Sequence, residues 1–151
     1  ELTGGMQKGD FLLIGFGHND EKTEEDRFTS AQGDYKTAGS FAASLYDNYI
    51  VPAQKAGCQV ILCTPIVRRT KTGEWNAQDL HVTQDFGTYL GGDYPQAVRE
   101  LGKTLGLPVV DMTHSEKTKR CIYMRGRLIK RQAWIIRTPM YGVQGSMRVF
   151  V

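Results

Sequence analysis

Residues 9–20 have the sequence Gly9-Asp10-Phe11-Leu12-Leu13-Ile14-Gly15-Phe16-Gly17-His18-Asn19-Asp20, an apolar run that stops in a polar turn. No polar residue interrupts the run from Phe11 to Phe16, which is typical of a strand covered on both faces of a parallel sheet. Polar residues that follow such a strand lie in the crevice at the carboxyl edge of the sheet. The sequence therefore predicts a functional site at residues 17–20.

A helix and a second strand follow. Ser40 is a suitable N-cap and Gly57 a suitable end, so we expect a helix over residues 40–56 that kinks or restarts at Pro52. Residues 58–63 then predict a second buried strand, which Thr64 and Pro65 end. A strand, a helix and a strand at this spacing indicate a parallel crossover.

The pattern then repeats once. Asp93 caps a helix with Pro95 in its first turn, and an apolar stripe runs from Tyr94 to Leu105 before Gly106 ends the helix. Residues 107–111 predict the third strand. The order βαβαβ indicates an α/β fold with a parallel sheet, of which three strands are readable.

Two loops are expected at the carboxyl edge of the sheet. Residues 21–35 are rich in charge and Gly, and their acids (Glu21, Glu24, Glu25 and Asp26) favour a solvated loop over a metal site because no hard-cation spacing is present. Residues 66–92 form a long excursion from the same edge. For Arg68, Arg69 and His81 both an ordinary surface position and contact with a ligand stay open.

The charge of the chain is divided unevenly. Of 19 Lys and Arg and 16 Asp and Glu in 151 residues, six basic residues and no acid lie in residues 121–151. Residues 1–120 therefore carry 13 basic against 16 acidic side chains. This break predicts two parts: a partial domain over residues 1–120 and a basic tail over residues 121–151.

The cysteines bear on the cellular compartment. Cys58, Cys63 and Cys121 are an odd number without metal-type spacing, which favours free buried thiols in a reducing compartment. We therefore expect a cytoplasmic protein. Secretion stays an alternative, because residue 1 is not Met and we expect the natural N-terminus to lie upstream.

Four segments together resemble the SGNH (GDSL-like) hydrolases of the rhamnogalacturonan acetylesterase type: residues 8–20, 64–69, 92–99 and 107–113. The resemblance runs from about residue 8 to residue 120. It implies a flavodoxin-like three-layer α/β/α fold and a serine esterase that removes acetyl groups from plant-polysaccharide sugars without a cofactor or metal. An acetylated oligo- or polysaccharide would be the partner, and neither nucleic acid nor a membrane is implied.

The resemblance also assigns roles to residues. It implies that the side-chain amide of Asn19 donates to the oxyanion and that Gly17 lets the backbone turn closely beneath it. His18, Arg68 and Arg69 are candidate substrate contacts. Asp111 and His114 have the spacing of the family's catalytic pair, although a strand-end Asp followed by a helix start is the simpler interpretation.

The family's Gly-Asp-Ser nucleophile motif has no counterpart in this sequence, so we expect the nucleophile segment upstream of residue 1. Without that segment, the strand at residues 11–16 would become an exposed apolar sheet edge. The tail suggests a second defect. Read one base early from the last base of the Ala133 codon, residues 134–144 are compatible with Val-Asp-Asn-Thr-His-Thr-Asn-Val-Trp-Gly-Ala, close to the family's terminal Asp-x-x-His block. We therefore hypothesise a frameshift near residues 120–124.

Two functions follow from these patterns. The first is a carbohydrate O-acetylesterase lineage acting by a Ser-His-Asp mechanism, with this chain inactive alone. The second is a non-enzymatic module whose basic tail, interleaved with Tyr123, Trp134 and Tyr141, binds nucleic acid or an acidic partner. A nucleotide or phosphate binder is disfavoured because no Gly-rich phosphate loop joins a strand to a helix.

Overall fold

The computed structural model describes residues 5–114 in full, together with the backbone of residues 133–136 and 147–150. Its sheet has five strands, in the order β3-β2-β1-β4-β5. Three are the predicted parallel strands: β1 (Phe11–Ile14), β2 (Gln59–Cys63) and β3 (Val109–Val110). The α/β fold with three parallel strands is therefore confirmed.

The other two strands come from the basic tail. They are β4 (Ala133–Ile136) and β5 (Met147–Phe150), and β4 pairs antiparallel with β1 while β5 pairs antiparallel with β4. The expectation that β1 forms an exposed edge is wrong, because the backbone groups on that side of β1 bond to β4. The other residues of the tail lie outside the described part of the chain. The predicted frameshift and the predicted binding of nucleic acid or an acidic partner depend on those residues and stay predictions.

The first crossover is helical over the predicted length. It consists of α1 (Phe41–Leu45), a π-helical turn (Tyr46–Ile50) and α2 (Val51–Lys55). Ser40 caps α1, since its Oγ accepts from the amide of Ala43 at 2.9 Å. The irregularity expected at Pro52 lies one turn earlier, where the amide of Val51 donates to the carbonyl of Tyr46. A proline has no amide and its ring crowds the preceding turn, which such a wider turn accommodates.

The second crossover is α3 (Tyr94–Leu105). Asp93 caps it by accepting from the amide of Gln96 at 2.8 Å, and Gly106 ends it with φ +65°, both as predicted. At Gly102 the helix approaches the sheet so closely that a Cβ would lie 2.2 Å from Cγ2 of Val109. A larger residue there would push α3 away from β3.

The core lies between the helices and one face of the sheet. α1 and α3 contact each other, and Leu12 and Ile14 of β1 are buried beneath them. The core also contains Phe41, Leu45, Ile50, Ala53, Val60, Leu62, Val98 and Leu101. Phe11 and Leu13 are only partly buried, so the second face of β1 is less completely covered than predicted. The uninterrupted apolar run did not indicate that one face of β1 would be more exposed than the other.

No helix in the described part of the chain is long and apolar enough to cross a membrane.

Candidate functional site at the carboxyl edge of the sheet

The turn after β1 is held against Pro65, the second residue after β2. Gly17 has φ +124°, and a Cβ on it would lie 2.5 Å from Cγ of Pro65. The backbone must therefore adopt a conformation that L-residues rarely adopt, in a place without room for a side chain. Its amide donates to Oδ2 of Asp20 at 3.0 Å, which closes the turn.

Asp20 and Tyr94 fasten this turn to the helical layer. The hydroxyl of Tyr94 lies 2.8 Å from the carbonyl oxygen of Thr29 and 3.1 Å from that of Asp20, and Thr29 donates its amide to the same Asp20 carbonyl at 3.1 Å. Tyr94 is fully buried, and burial, with a smaller contribution from the charge of Asp20, raises the pKa of its phenol. The hydroxyl thus stays protonated and able to donate.

Asn19 lies in the middle of this fastened turn. It is partly buried, and its carbonyl accepts from the amide of Lys22 at 3.0 Å. A donor that is held in place before the reaction is what oxyanion stabilisation needs, because it loses no reorganisation energy when charge develops. The role of Asn19, and that of Gly17 beneath it, stays a prediction.

A buried cluster stands directly beside the turn. Glu21, predicted to be solvated, is 8% exposed, and His81 is 0% exposed. Nδ1 of His81 lies 3.2 Å from Oε2 of Glu21, and the guanidinium of Arg68 pairs with Oε1. The prediction for Glu21 is therefore wrong, because Arg68 and His81 from the distant loop enclose its carboxylate. Glu24, Glu25 and Asp26 are exposed, as predicted.

His81 joins three segments of chain. Its Nε2 lies 2.7 Å from the carbonyl oxygen of Ile66, and its ring packs edge-on against His18, with centroids 5.4 Å apart. It follows the 3-10 turn Gln78–Leu80 with φ +59°, which is uncommon for a residue with a Cβ. The surface position considered for His81 is wrong. The cluster instead connects the turn after β1 with the excursion after β2.

Burial decides the charge of this histidine. Removal from water lowers the pKa of His81 to about 4, and the charge of Arg68 acts in the same direction, while the hydrogen bond with Ile66 and the charge of Asp79 oppose it. At neutral pH the ring is therefore uncharged and has one N–H. A carbonyl oxygen can only accept, so the shorter contact assigns that hydrogen to Nε2, which donates to Ile66. Nδ1 is then an acceptor, and its 3.2 Å approach to the carboxylate of Glu21 is a packing contact rather than a hydrogen bond or an ion pair.

The predicted basic contacts differ from each other. Arg68 is mostly buried, and burial lowers the pKa of its guanidinium against the opposing charge of Asp79. Arg68 pairs with Glu21, and both side chains line the crevice beside the turn after β1. Arg69 is exposed, and His18 is partly buried against His81. Contact of these three residues with substrate stays a prediction.

Asp111 follows β3 and is occupied by structural partners. Arg99 donates Nε to its Oδ2 at 3.0 Å, and Thr64 donates its hydroxyl to Oδ1 at 3.1 Å. Burial acts to raise the pKa of Asp111, but the hydrogen bonds from Arg99, the amide of His114 and Thr64 outweigh it and lower the pKa to about 2. Asp111 is therefore a carboxylate that fastens the end of β3 to α3 and to the end of β2.

His114 lies beside Asp111, as the Asp-x-x-His spacing predicted. Its Nδ1 lies 3.5 Å from Oδ2 of Asp111 and also contacts the guanidinium of Arg99, and its side chain is 61% exposed. β1 and β3 lie on either side of β2, so about 10 Å of sheet separates the strand that leads to Asn19 from the strand that leads to His114. A catalytic role for Asp111 and His114 stays a prediction.

No serine in residues 5–114 is bonded to a histidine. Ser30 accepts from the amide of Gln32, Ser40 caps α1, and Ser44 accepts from the side chain of Asn48. Nor do the described residues contain a group of three or more His, Cys, Asp and Glu that could hold a metal ion. Cys58 and Cys63 are buried free thiols, as predicted, and burial raises the pKa of Cys63 to about 11, so it is a poor nucleophile.

Fold and site together define an α/β protein whose polar side chains gather where its parallel strands end. Comparison with curated proteins finds similarity to the rhamnogalacturonan acetylesterase RhgT of Bacillus subtilis (strain 168), with 30% identity over 112 residues. The similarity covers 74% of this chain, and the chain spans only 40% of that relative's length. No family model and no solved structure matches the chain. The similarity supports descent from a carbohydrate esterase lineage.

Proposed function

We propose that this chain carries the oxyanion-binding part of an SGNH-type carbohydrate O-acetylesterase. In this proposal Asn19 donates its side-chain amide to the oxyanion that forms when an acetyl ester of a pectic or other plant-polysaccharide sugar is attacked. The observation that carries it is the turn at residues 17–20, fastened at the carboxyl edge of β1 by Asp20, Tyr94 and Pro65 in a chain similar to an acetylesterase.

The serine and the base are proposed to come from outside the described residues. Acyl transfer needs an activated hydroxyl, a base and oxyanion donors. Residues 5–114 supply a donor candidate but no serine bonded to a histidine. We therefore propose that the 151-residue chain is inactive alone, that a serine-bearing segment precedes it, and that a frameshift has replaced the terminal Asp-His block.

The genetic part is tested by sequencing the encoding DNA around the codons for residues 120–144. The shifted frame must contain Asp-Asn-Thr-His, and any other reading refutes the frameshift. The chemical part is tested by acetate release and by hydrolysis of p-nitrophenyl acetate. The 151-residue chain should give no more than buffer, while a form with the upstream segment and the restored frame should hydrolyse both.

Asn19→Ala in that active form tests the role of the amide. Removal of one oxyanion donor lowers kcat by about 10²–10³-fold, with KM little changed. Asn48→Ala is the matched control, because Asn48 is an exposed amide on the π-helical turn. Equal kcat values for the parent and the Asn19 variant would remove Asn19 from the mechanism.

A further inference from the structure

A cavity of about 650 Å³ lies beside the cluster of Glu21, His81 and Arg68. One wall comes from the loop after β1 and the other from residues 76–90. Its size falls in the range of small-molecule sites. Arg68, a predicted substrate contact, lies in its wall, and so does Glu21, two residues after Asn19; no other residue with a role predicted from the sequence lines it.

The wall formed by residues 76–90 contains a tight hairpin at residues 86–89. Phe86 and Tyr89 exchange both backbone hydrogen bonds, at 2.9 and 3.0 Å, across Gly87 and Thr88. The amide of Gly91 donates to Oδ1 of Asp85 at 2.7 Å, which ties the base of the hairpin. These three hydrogen bonds within residues 85–91 hold the backbone of this wall in place without a ligand, and binding to it would therefore lose little conformational entropy.

The hairpin presents an aromatic ring to solvent. Phe86 is 66% exposed and Leu90 is 48% exposed, and with Val110, also 48% exposed, they are the exposed large apolar side chains of residues 5–114. Tyr89 is instead fixed by an edge-on contact with Phe28, with centroids 5.0 Å apart. Adjacent exposed apolar side chains at the rim of a cavity mark a binding surface.

The polar groups in the cavity are mainly neutral. Asn76, Gln78, Thr83 and Gln84 line it with amides and a hydroxyl. Of the charged groups, Glu21 and Arg68 neutralise each other, which leaves Lys22. Phosphate sites gather several unopposed cations or backbone amides, and this cavity does not. An exposed aromatic ring beside side-chain amides suits a ligand with flat C–H faces edged by hydroxyl groups, which is a pyranose sugar.

We propose that this cavity is a sugar-binding subsite, in which a pyranose unit of an oligosaccharide packs on the ring of Phe86 and bonds to the neighbouring amides. The unit would lie next to the turn that carries Asn19. The subsite deepens the proposed function and rests on it for the kind of sugar chain, while its affinity requires no hydrolysis.

The test is calorimetric titration of the 151-residue chain with acetylated rhamnogalacturonan oligosaccharides. Phe86→Ala should weaken binding about tenfold or more, as loss of a central aromatic contact does. Phe86→Trp should restore it, because the platform is kept. Val110→Ala is the control, since Val110 is similarly exposed but lies on β3. No binding by the parent, or equal binding by the parent and Phe86→Ala, overturns the subsite.

Kinetics of the active form separate the two proposals. Phe86→Ala should raise KM for the oligosaccharide and leave the hydrolysis of p-nitrophenyl acetate unchanged, because that ester has no sugar. Asn19→Ala should lower the rate for both. If binding depends on Phe86 but the form with the upstream segment and the restored frame has no esterase activity, the subsite is sustained and the proposed function is refuted. If that form is an active esterase and Phe86→Ala changes neither binding nor KM, the proposed function is sustained and the subsite is refuted.

Discussion

Two histidine–carboxylate pairs lie near the carboxyl edge of this sheet, in opposite environments. Glu21 and His81 are 60 residues apart in the chain, and their side chains are 3% and 0% exposed. Asp111 and His114 are three residues apart, with side chains 38% and 61% exposed. The nitrogen–oxygen distances are alike, at 3.2 and 3.5 Å. Only the second pair has a recognisable spacing in the sequence.

The difference between them is what each pair joins. The buried pair ties the turn after β1 to Ile66 and to the end of the 3-10 turn, so it shapes the crevice beside Asn19. The exposed pair adds one long contact to an Asp111 that Arg99 and Thr64 already hold. Within the buried cluster the ion pair of Arg68 with Glu21 is expensive to break, whereas an exposed pair contributes little. The nitrogen–oxygen distances alone would have suggested that the two pairs contribute equally to stability.

The largest effect is expected from Glu21→Ala. The substitution removes the carboxylate and leaves Arg68 without its buried partner. Loss of one member of a buried ion pair costs about 3–5 kcal/mol, and we expect the free energy of unfolding to fall by that amount. Urea denaturation followed by tryptophan fluorescence measures it.

Glu24→Ala is the matched control. Glu24 pairs with Arg27 on the surface, three residues away, and both side chains are about half exposed. Its loss should change the free energy of unfolding by no more than about 0.5 kcal/mol. Equal effects of the two substitutions would mean that the buried cluster contributes no more than a surface pair.

The second prediction concerns pH. The pKa of His81 is about 4 in the folded chain against 6.5 in the unfolded one, so the unfolded chain binds the extra proton between these values. The stability that comes from the neutral ring is complete above about pH 6.5 and is lost as the pH falls toward 4. Two and a half pKa units correspond to about 3 kcal/mol.

His81→Gln isolates this contribution. The variant should be less stable at pH 7, but its stability should fall less between pH 6.5 and 4 than that of the parent. Denaturation at several pH values gives both slopes. Parallel slopes for the parent and His81→Gln would show that His81 is not held neutral.

Local chemistry made much of the fold predictable. Ser40 and Asp93 cap helices because a side-chain oxygen followed by an apolar period is a local signal, and Gly106 ends α3 because its conformation is local too. The parallel strands followed from apolar runs between these helices. The position of the turn at residues 17–20, at the end of β1, was predictable for the same reason.

Long-range pairing was not predictable. Glu21 stood among exposed acids in a charged loop, and nothing near it indicated that residues 68 and 81 would bury it. Tyr94 was expected only as part of an apolar stripe, although its hydroxyl bonds to the loop after β1. β4 was missed because the tail has no clear periodicity, so nothing in its own sequence indicated that it would pair with β1.

The smallest effect is expected from His114→Ala. Its side chain is mostly exposed, and Asp111 keeps its hydrogen bonds to Arg99 and Thr64, so the free energy of unfolding should change by less than about 0.5 kcal/mol. Asp111→Asn should cost more, since it weakens the bonds to Arg99. In the active form, His114→Ala should leave acetate release unchanged because the proposed base comes from the restored tail. Loss of activity in that variant, with stability intact, would make Asp111 and His114 the catalytic pair and refute the need for a second Asp-His block.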